Sequence, residues 1–259
     1  MKKQQRPSII KFVNRITIWG VIKMKKGIQP NGLLTRKKIL SASIKVFLEK
    51  GYEGATAKEI ADLAGSSAGS PFSLFGNKEG VLLELVHMMF SGQFELAETL
   101  IGEEADPLLL YGVETALQIH TTELSWQLRE LYVMAYSLSS TSEYIYEQTA
   151  ARLAVIFGPY LAHCEGKDFY ELEVASASVM RGFMAKPCDM YFTVERKLRC
   201  FLQCCFKLYD VPPEKYEPVI ERVLQLDLRH MAEQMIARTA QTAEEYFQIT
   251  MAEGKQRGD

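Results

Sequence analysis

The 259-residue chain is poor in the features that mark several large protein classes, and each lack excludes something. Its five cysteines (Cys164, Cys188, Cys200, Cys204 and Cys205) are odd in number and follow no regular spacing. That excludes a disulfide framework, and with no segment reading as a signal peptide it points to the reducing cytoplasm. Long apolar runs are missing too. The stretch Ile9–Ile22 is interrupted by Lys11, Asn14 and Arg15, which leaves it too short and too polar to span a bilayer, so no membrane partner is expected. No run of β-branched alternation bounded by hairpin turns argues for a sheet, and neither an internal repeat nor a low-complexity segment is present. A nucleophile elbow, a phosphate loop and a metal-protease helix are all absent, so the expectation is a protein that is not an enzyme and carries no cofactor. Cys200 and Cys204 stand four apart and share a helix face, but zinc needs two further ligands and no nearby His or Cys spacing supplies them. They read as packing residues and no metal is expected; Cys188, beside Pro187 in a loop, is the candidate for a reactive thiol.

Charge is present but unevenly spread. The net charge of −2 conceals a basic end and an acidic body. Residues 1–24 carry six Lys or Arg and no acid; residues 25–86 carry nine against six; residues 87–259 hold 15 basic and 26 acidic side chains, a net −11. Such asymmetry suits a polyanion-binding end on a body that an acidic surface keeps away from DNA. For the basic arm itself three readings stand: an arm tracking a DNA groove, a mobile tail, or an over-called start ahead of a true start at Met24.

Helical periodicity runs throughout. Thr35 is placed to cap a helix reaching Lys50, with Ile39, Leu40, Ile44, Phe47 and Leu48 on one stripe and Gly51 stopping it. Thr56 with Glu59 three residues later is a capping box for a short helix over Ala57–Ala64, and Gly65 makes the turn. A second short helix is predicted over about Ala68–Phe75, capped by Ser67 or Ser70. Asn77 caps a longer helix through Val81, Leu82, Leu85, Val86, Met89 and Phe90. Further helix starts are expected at Asp106-Pro107, Ser142-Glu143, Asp168 and Thr193. These helices should end near Gly158-Pro159, Lys186 and Asp210, and a last helix should span Pro213–Thr239. A short helix, a tight turn and a second short helix on an amphipathic platform form the right-angled pair that presents one helix to a major groove about 12 Å wide.

The residues at those positions are more specific than the spacing. Thr35-Arg36-Lys37-Lys38-Ile39-Leu40, Phe47, Gly51-Tyr52, Thr56, Ile60-Ala61, Ala64-Gly65, Ser67, Gly69, Phe75, Lys78-Glu79 and Val81 resemble the N-terminal signature of the tetracycline-repressor (TetR) family, without a gap, over Leu34–Val86. The resemblance implies an all-α fold: an N-terminal three-helix helix-turn-helix DNA-binding domain, then a helical ligand-binding and dimerisation domain. It implies a homodimeric transcription regulator, usually a repressor, that binds double-stranded operator DNA and is released by a small-molecule effector of unknown identity. By the same resemblance Thr56, Ala57 and Lys58 approach phosphate, where helix-start N–H groups suit an anion. Ser67, Ala68, Gly69, Ser70, Phe72, Ser73 and Leu74 lie where the family meets base edges and sugar-phosphate, and Lys78 grips phosphate.

Three positions depart from the family pattern. Ala68 replaces a long polar residue, Phe72 replaces a tyrosine, and Pro71 replaces an inward-packing aliphatic residue. A proline inside the helix would cost on the order of 3 kcal/mol, which is avoided if Ser70 is the cap and Pro71 the first helical residue. The competing reading is a helical small-molecule-binding protein whose helix-turn-helix no longer reads DNA, and Ala68 with Pro71 favour it.

The resulting organisation is a basic arm over 1–33, a helix-turn-helix domain over 34–86 with a linking helix to about 103, an effector-binding and dimerisation domain over 104–252, and a disordered tail over 253–259. Candidate pocket residues in the body are the aromatics Tyr111, Trp126, Tyr132, Tyr136, Tyr144 and Phe157, suited to a hydrophobic or aromatic ligand although any single one reads more readily as core, with His120 and Arg129 as polar anchors that read equally as surface or capping residues. Candidate dimer residues are Leu172, Ala175, Val179 and Phe183, with Leu198, Phe201, Leu202 and Cys205, as half of an intermolecular four-helix bundle.

Overall fold

The computed structural model describes residues 30–66, 71–101 and 106–256, and the basic arm expected over 1–33 lies almost wholly outside these. The described residues form ten α-helices and one 3-10 helix, with no strand among them. Helix α1 (Pro30–Gly54) begins ahead of Thr35, so Thr35 is an internal residue and not the cap. Its regular part closes at Gly51, whose φ of 73° and ψ of 178° interrupt the helix. Helix α2 (Ala57–Ala64) has the expected capping box: Glu59 N donates to Thr56 Oγ1 (3.2 Å) and Thr56 N donates to Glu59 Oε2 (3.2 Å). Gly65 ends it in the left-handed region.

Pro71–Phe75 then form a five-residue 3-10 helix. Asn77 Oδ1 accepts from Gly80 N at 2.8 Å to open α3 (Lys78–Ile101). Gly80 is required there. A Cβ at this position would lie 1.9 Å from the carbonyl oxygen of Phe75, so only glycine lets α3 abut the 3-10 helix. Ile39, Phe47, Ile60, Ala64, Val81 and Leu82 fuse these elements into one buried core.

The body comprises α4 (Pro107–Thr122), α5 (Trp126–Ala135), α6 (Ser139–Phe157), α7 (Gly166–Ala185), α8 (Val194–Leu208), α9 (Pro213–Leu224) and α10 (Leu228–Gln256). Asp106, with proline at the first helical position, and Thr193 cap α4 and α8 as expected. Helix α6 starts at Ser139 rather than Ser142, and α7 at Gly166, where Asp168 reaches back to Glu165 N (2.7 Å) from the first turn. Helix α4 is buried on every side from Tyr111 to Ile119, as a central helix must be. Around it Tyr111, Phe157, Phe206, Tyr209 and Tyr216 build an aromatic cluster in which Phe157 stacks on Tyr209 at 4.0 Å.

The single C-terminal helix expected over Pro213–Thr239 is two helices. The chain breaks at Gln225–Asp227, where the Asp227 carboxylate accepts from His230 N (3.2 Å) and restarts the helix. Helix α10 then returns along α4 and α1, and Lys45 Nζ pairs with Glu244 Oε2 at 2.5 Å. It continues to Gln256, through part of the segment expected as a tail. Covered by α10 on one side and α5 on another, α1 buries Ser41 and Ser43 besides its apolar stripe.

Candidate nucleic-acid interface and ligand cavity

At the helix-turn-helix, the first turn of α2 places Thr56 and Lys58 at the surface, with Ala57 half-buried against the core. Glu59 spends its carboxylate on Lys50 and Thr56, and those bonds hold it down to about 2. The free N–H groups of this helix start carry the partial positive charge that favours phosphate.

Ser67, Ala68, Gly69 and Ser70 lie outside the described residues. In the 3-10 helix that follows, Ser73 and Leu74 are exposed, Leu74 by 40%. Phe72 corrects the sequence reading: only 9% exposed, it faces the core, because an apolar ring without a hydroxyl gains more from burial than from water. Arg36 braces this turn, donating to Leu74 O (2.6 Å), lying 4.1 Å over the Phe75 ring and pairing with Glu84. Lys78 is half-buried; its ammonium sits 4.5 Å over the Tyr52 ring and 3.4 Å from Glu53 O, and burial lowers its pKa.

Besides α3 itself and the packing of α10 on α1, two further sets of contacts tie this head to the body. Gln127 Nε2 donates to Glu49 O (3.1 Å), while Trp126 and Glu130 of α5 close over Gly51. At the other end Ser140, at the start of α6, donates its N–H and Oγ to Glu79 Oε1 (3.0 and 2.6 Å), one residue from Lys78.

Within the body, α4, α6, α7 and α8 line a narrow cavity that opens to solvent. Its walls combine Leu110, Tyr111, Leu153, Ile156, Met180 and Phe201 with a polar set: Glu114, Gln118, Tyr136, Thr149, Arg152, Glu173 and Ser176. The polar groups form two relays, each ending on a carboxyl. Tyr136 OH donates to Gln118 Oε1 (2.8 Å), and Gln118 Nε2 donates to Glu114 Oε1 (2.7 Å). Tyr209 OH donates to Ser176 Oγ (2.9 Å), and Ser176 Oγ donates to Glu173 Oε2 (2.6 Å). Both acids are 5% exposed. Burial pushes Glu114 up to about 7 against the opposing pull of Gln118 and Arg152, and Glu173 up to about 8 against Ser176 and with help from Glu114.

Of the eight candidate pocket residues, Tyr111 and Tyr136 line this cavity. Phe157 instead fills the aromatic cluster, and Tyr132 is buried in the core without lining the space. Trp126 is 56% exposed against α1, and Tyr144 packs its ring at a tilt against His87, centroids 4.1 Å apart. His120 does not line the cavity either; burial lowers its pKa. Arg129 pairs with Glu123 (3.2 Å). Glu123 also takes Lys197 Nζ (2.6 Å) and Cys188 N (3.2 Å), a knot that fastens the loop after α7 to the end of α4. Burial works to raise the Glu123 carboxyl, but Lys197, Cys188 N and Arg129 together leave it below its ordinary value.

The acids Glu114 and Glu173 were missed because a carboxylate reads as solvent-facing by default. The available signal was their placement among apolar and small residues on α4 and α7.

The candidate dimer residues divide. Leu198, Phe201, Leu202 and Cys205 are at most 1% exposed within one chain, so they cannot line a surface between chains. They face α7, α4 and the aromatic cluster, because that side of α8 is the one the subunit core needs. On α7, Ala175 is exposed and Leu172, Val179 and Phe183 are half-buried. Cys200 and Cys204, expected to pack, are exposed, whereas burial pushes the Cys188 thiol up and away from easy ionisation. No helix among the described residues is long and apolar enough to cross a membrane.

Comparison with known proteins agrees with this geometry over the head alone. The sequence pattern of the family described as "Bacterial regulatory proteins, tetR family" matches residues 39–85. An "Uncharacterized HTH-type transcriptional regulator YvkB" of Bacillus subtilis is 35% identical over 78 residues, 30% of this chain and 41% of its own length. The "HTH-type transcriptional repressor AcnR" of Corynebacterium glutamicum is 41% identical over 51 residues, 20% of this chain and 27% of its own. That of Corynebacterium jeikeium is 39% identical over 66 residues, 25% of this chain and 35% of its own. The chain thus spans well under half the length of these relatives, and the likeness is carried by the helix-turn-helix end. Residues 39–85 thus form a helix-turn-helix domain of the kind that marks the tetR family of bacterial regulatory proteins, built by the residues that bear its signature.

Proposed function

We propose that this helix-turn-helix transcriptional regulator works in the cytoplasm as a homodimeric repressor that leaves its operator when a small molecule enters the body. The observation that carries the reading is a cavity with buried polar walls, joined through α6 to the helix that follows the DNA-facing turn. Thr149 and Arg152 line the cavity from α6, and the start of the same helix holds Glu79 beside Lys78. A ligand that shifts α6 therefore pulls on α3 at the point where it leaves the 3-10 helix. Two states that differ there bind DNA differently, and a ligand preferring one releases the other.

Pairing is assigned to the outer face of α7. Ala175, Ser178 and Gly182 are exposed there at helical spacing, flanked by Leu172, Val179 and Phe183, and small residues let two helices approach closely. Operator binding by such a dimer requires its two heads about one DNA turn apart, roughly 34 Å.

With Phe72 turned inward, base contact falls to Ser73, Leu74 and whatever residues 67–70 contribute. Specificity then leans on thymine-methyl contact and DNA shape. The test is a titration of labelled fragments from the gene's own upstream region. Salt-sensitive binding by a dimer supports the reading, and salt-insensitive or absent binding with a functional ligand cavity favours the DNA-silent ligand-binding protein.

A further inference from the structure

We propose that the cavity takes a protonated amine carried on an apolar or aromatic body, with Glu114 and Glu173 supplying the counter-charge and Thr149 an oxygen acceptor. This rests on reading the cavity as the effector site, and it replaces a merely hydrophobic ligand by one of defined charge.

The lining is unbalanced in sign. Glu114 and Glu173 face the space, and of the lining residues only Arg152 is basic, so with both acids ionised the wall carries one excess negative charge. It is also unbalanced in hydrogen-bond capacity. Ser176 is the one donor to the Glu173 carboxylate among the described residues, and Thr149 Oγ1 is buried in the wall with no partner among them. An ammonium group supplies three donors, no acceptor and one positive charge, which answers both imbalances. An anion would be repelled by whichever of the two acids is ionised. Tyr111, Tyr136 and Phe201 line the remaining wall, and aromatic rings suit a cation as well as an apolar body.

If the two acids served the fold alone, their neutral forms would suffice, and glutamine would replace them without loss. Binding a cation instead requires them to ionise, so the amine should drive protons out of the protein near neutral pH. The other titratable groups around the pair cannot supply those protons. Burial holds Tyr111, Tyr136 and Tyr209 far above neutrality and pushes Cys205 up to about 12. Arg152 is a fixed guanidinium.

Three probes with one body and different heads decide the matter on the full-length protein: 4-phenylbutylamine, 4-phenylbutanol and 4-phenylbutyrate. Calorimetry at pH 7 in buffers of differing ionisation enthalpy gives affinity and proton release together. The amine should bind tightest of the three and release protons. Glu173→Gln should weaken it at least about tenfold, as loss of one partner of a buried charge pair does, with the alcohol unaffected. Proton release by the unsubstituted protein serves as the readout should Glu173→Gln or Glu114→Gln fail to fold. Equal or tighter binding by the alcohol or the acid, or amine binding without proton release, overturns the charge assignment and leaves the effector reading standing. No binding by any of the three overturns both.

Discussion

Replacing Gly51 by alanine should weaken the protein where its DNA-binding head rests on its body. The residue sits at φ 73°, ψ 178°, a region that only glycine enters freely, and such strain costs about 1–3 kcal/mol. Space is lacking as well. A Cβ would lie 2.0 Å from Glu130 Oε2 and 2.7 Å from Trp126 Cζ3, so both α5 side chains must retreat. The carboxylate can swing aside cheaply. The indole, 56% exposed, can move only by giving up its contact with α1, which places the total toward the upper end of that range. At roughly 2–4 °C per kcal/mol, Gly51→Ala should melt several degrees lower and shift its urea midpoint down with little change in slope. Trp126 lies at the perturbed contact and its fluorescence should report the loosening before the global transition. The same variant should bind operator DNA more weakly or respond less to ligand, since α1 and α5 carry part of the linkage. A melting temperature and tryptophan spectrum equal to those of the parent would refute the assigned backbone geometry.

Other consequences follow from single residues. Glu114 and Glu173 hold protons in the folded state up to about 7 and about 8 but release them near 4.5 when unfolded. Between those values the folded chain binds more protons, so their contribution is fully present below about 4.5 and declines as pH rises toward 8. Glu173→Gln should remove part of that decline, raising stability at pH 8 to 9 by a few kcal/mol at most (about 1.4 kcal/mol per unit of displacement) while changing little at pH 5; equal melting profiles across that range would contradict it. Lys197, wholly buried against Glu123 and Lys186 O, leaves Glu123 with only Arg129 and Cys188 N, and Lys186 O without this donor, if it is cut back: Lys197→Met should cost about 1–3 kcal/mol in denaturant unfolding, and no measurable loss would count against the buried pair. Gly182 lies on the outer face of α7 with nothing within 4 Å of a Cβ, so Gly182→Arg should fold normally yet run as a monomer in light scattering; a dimer of unchanged affinity would move the interface elsewhere.

Local punctuation was the legible part of this fold. Thr56 with Glu59, Gly65, Asn77, Asp106-Pro107 and Thr193 each act through atoms a few residues away, and the structure uses them as their types suggest. Features decided by distant neighbours were harder to read. Helix α1 starts ahead of Thr35, and the break at Gln225–Asp227 contains neither glycine nor proline. The apolar stripe of α8 was plain, but periodicity says only that a stripe is buried, not whether by its own subunit or by another. The inward turn of Phe72 and the burial of Glu114 and Glu173 belong to the same kind: each depends on what packs above it. A cavity is a property of four helices at once, and for that reason its acids went unread while two of its tyrosines were found.

The central claim, that the head touches DNA with the start of α2, is tested most directly by the salt dependence of operator binding. Fluorescence anisotropy on a labelled upstream fragment should give an affinity that falls steeply as salt rises, because each neutralised phosphate releases a counterion. Lys58 is exposed at that helix start, so Lys58→Ala should weaken binding to all fragments alike and lower the slope by about 1 per head, about 2 for a dimer. An unchanged slope in Lys58→Ala, or no salt-dependent binding to any upstream fragment, would contradict the account.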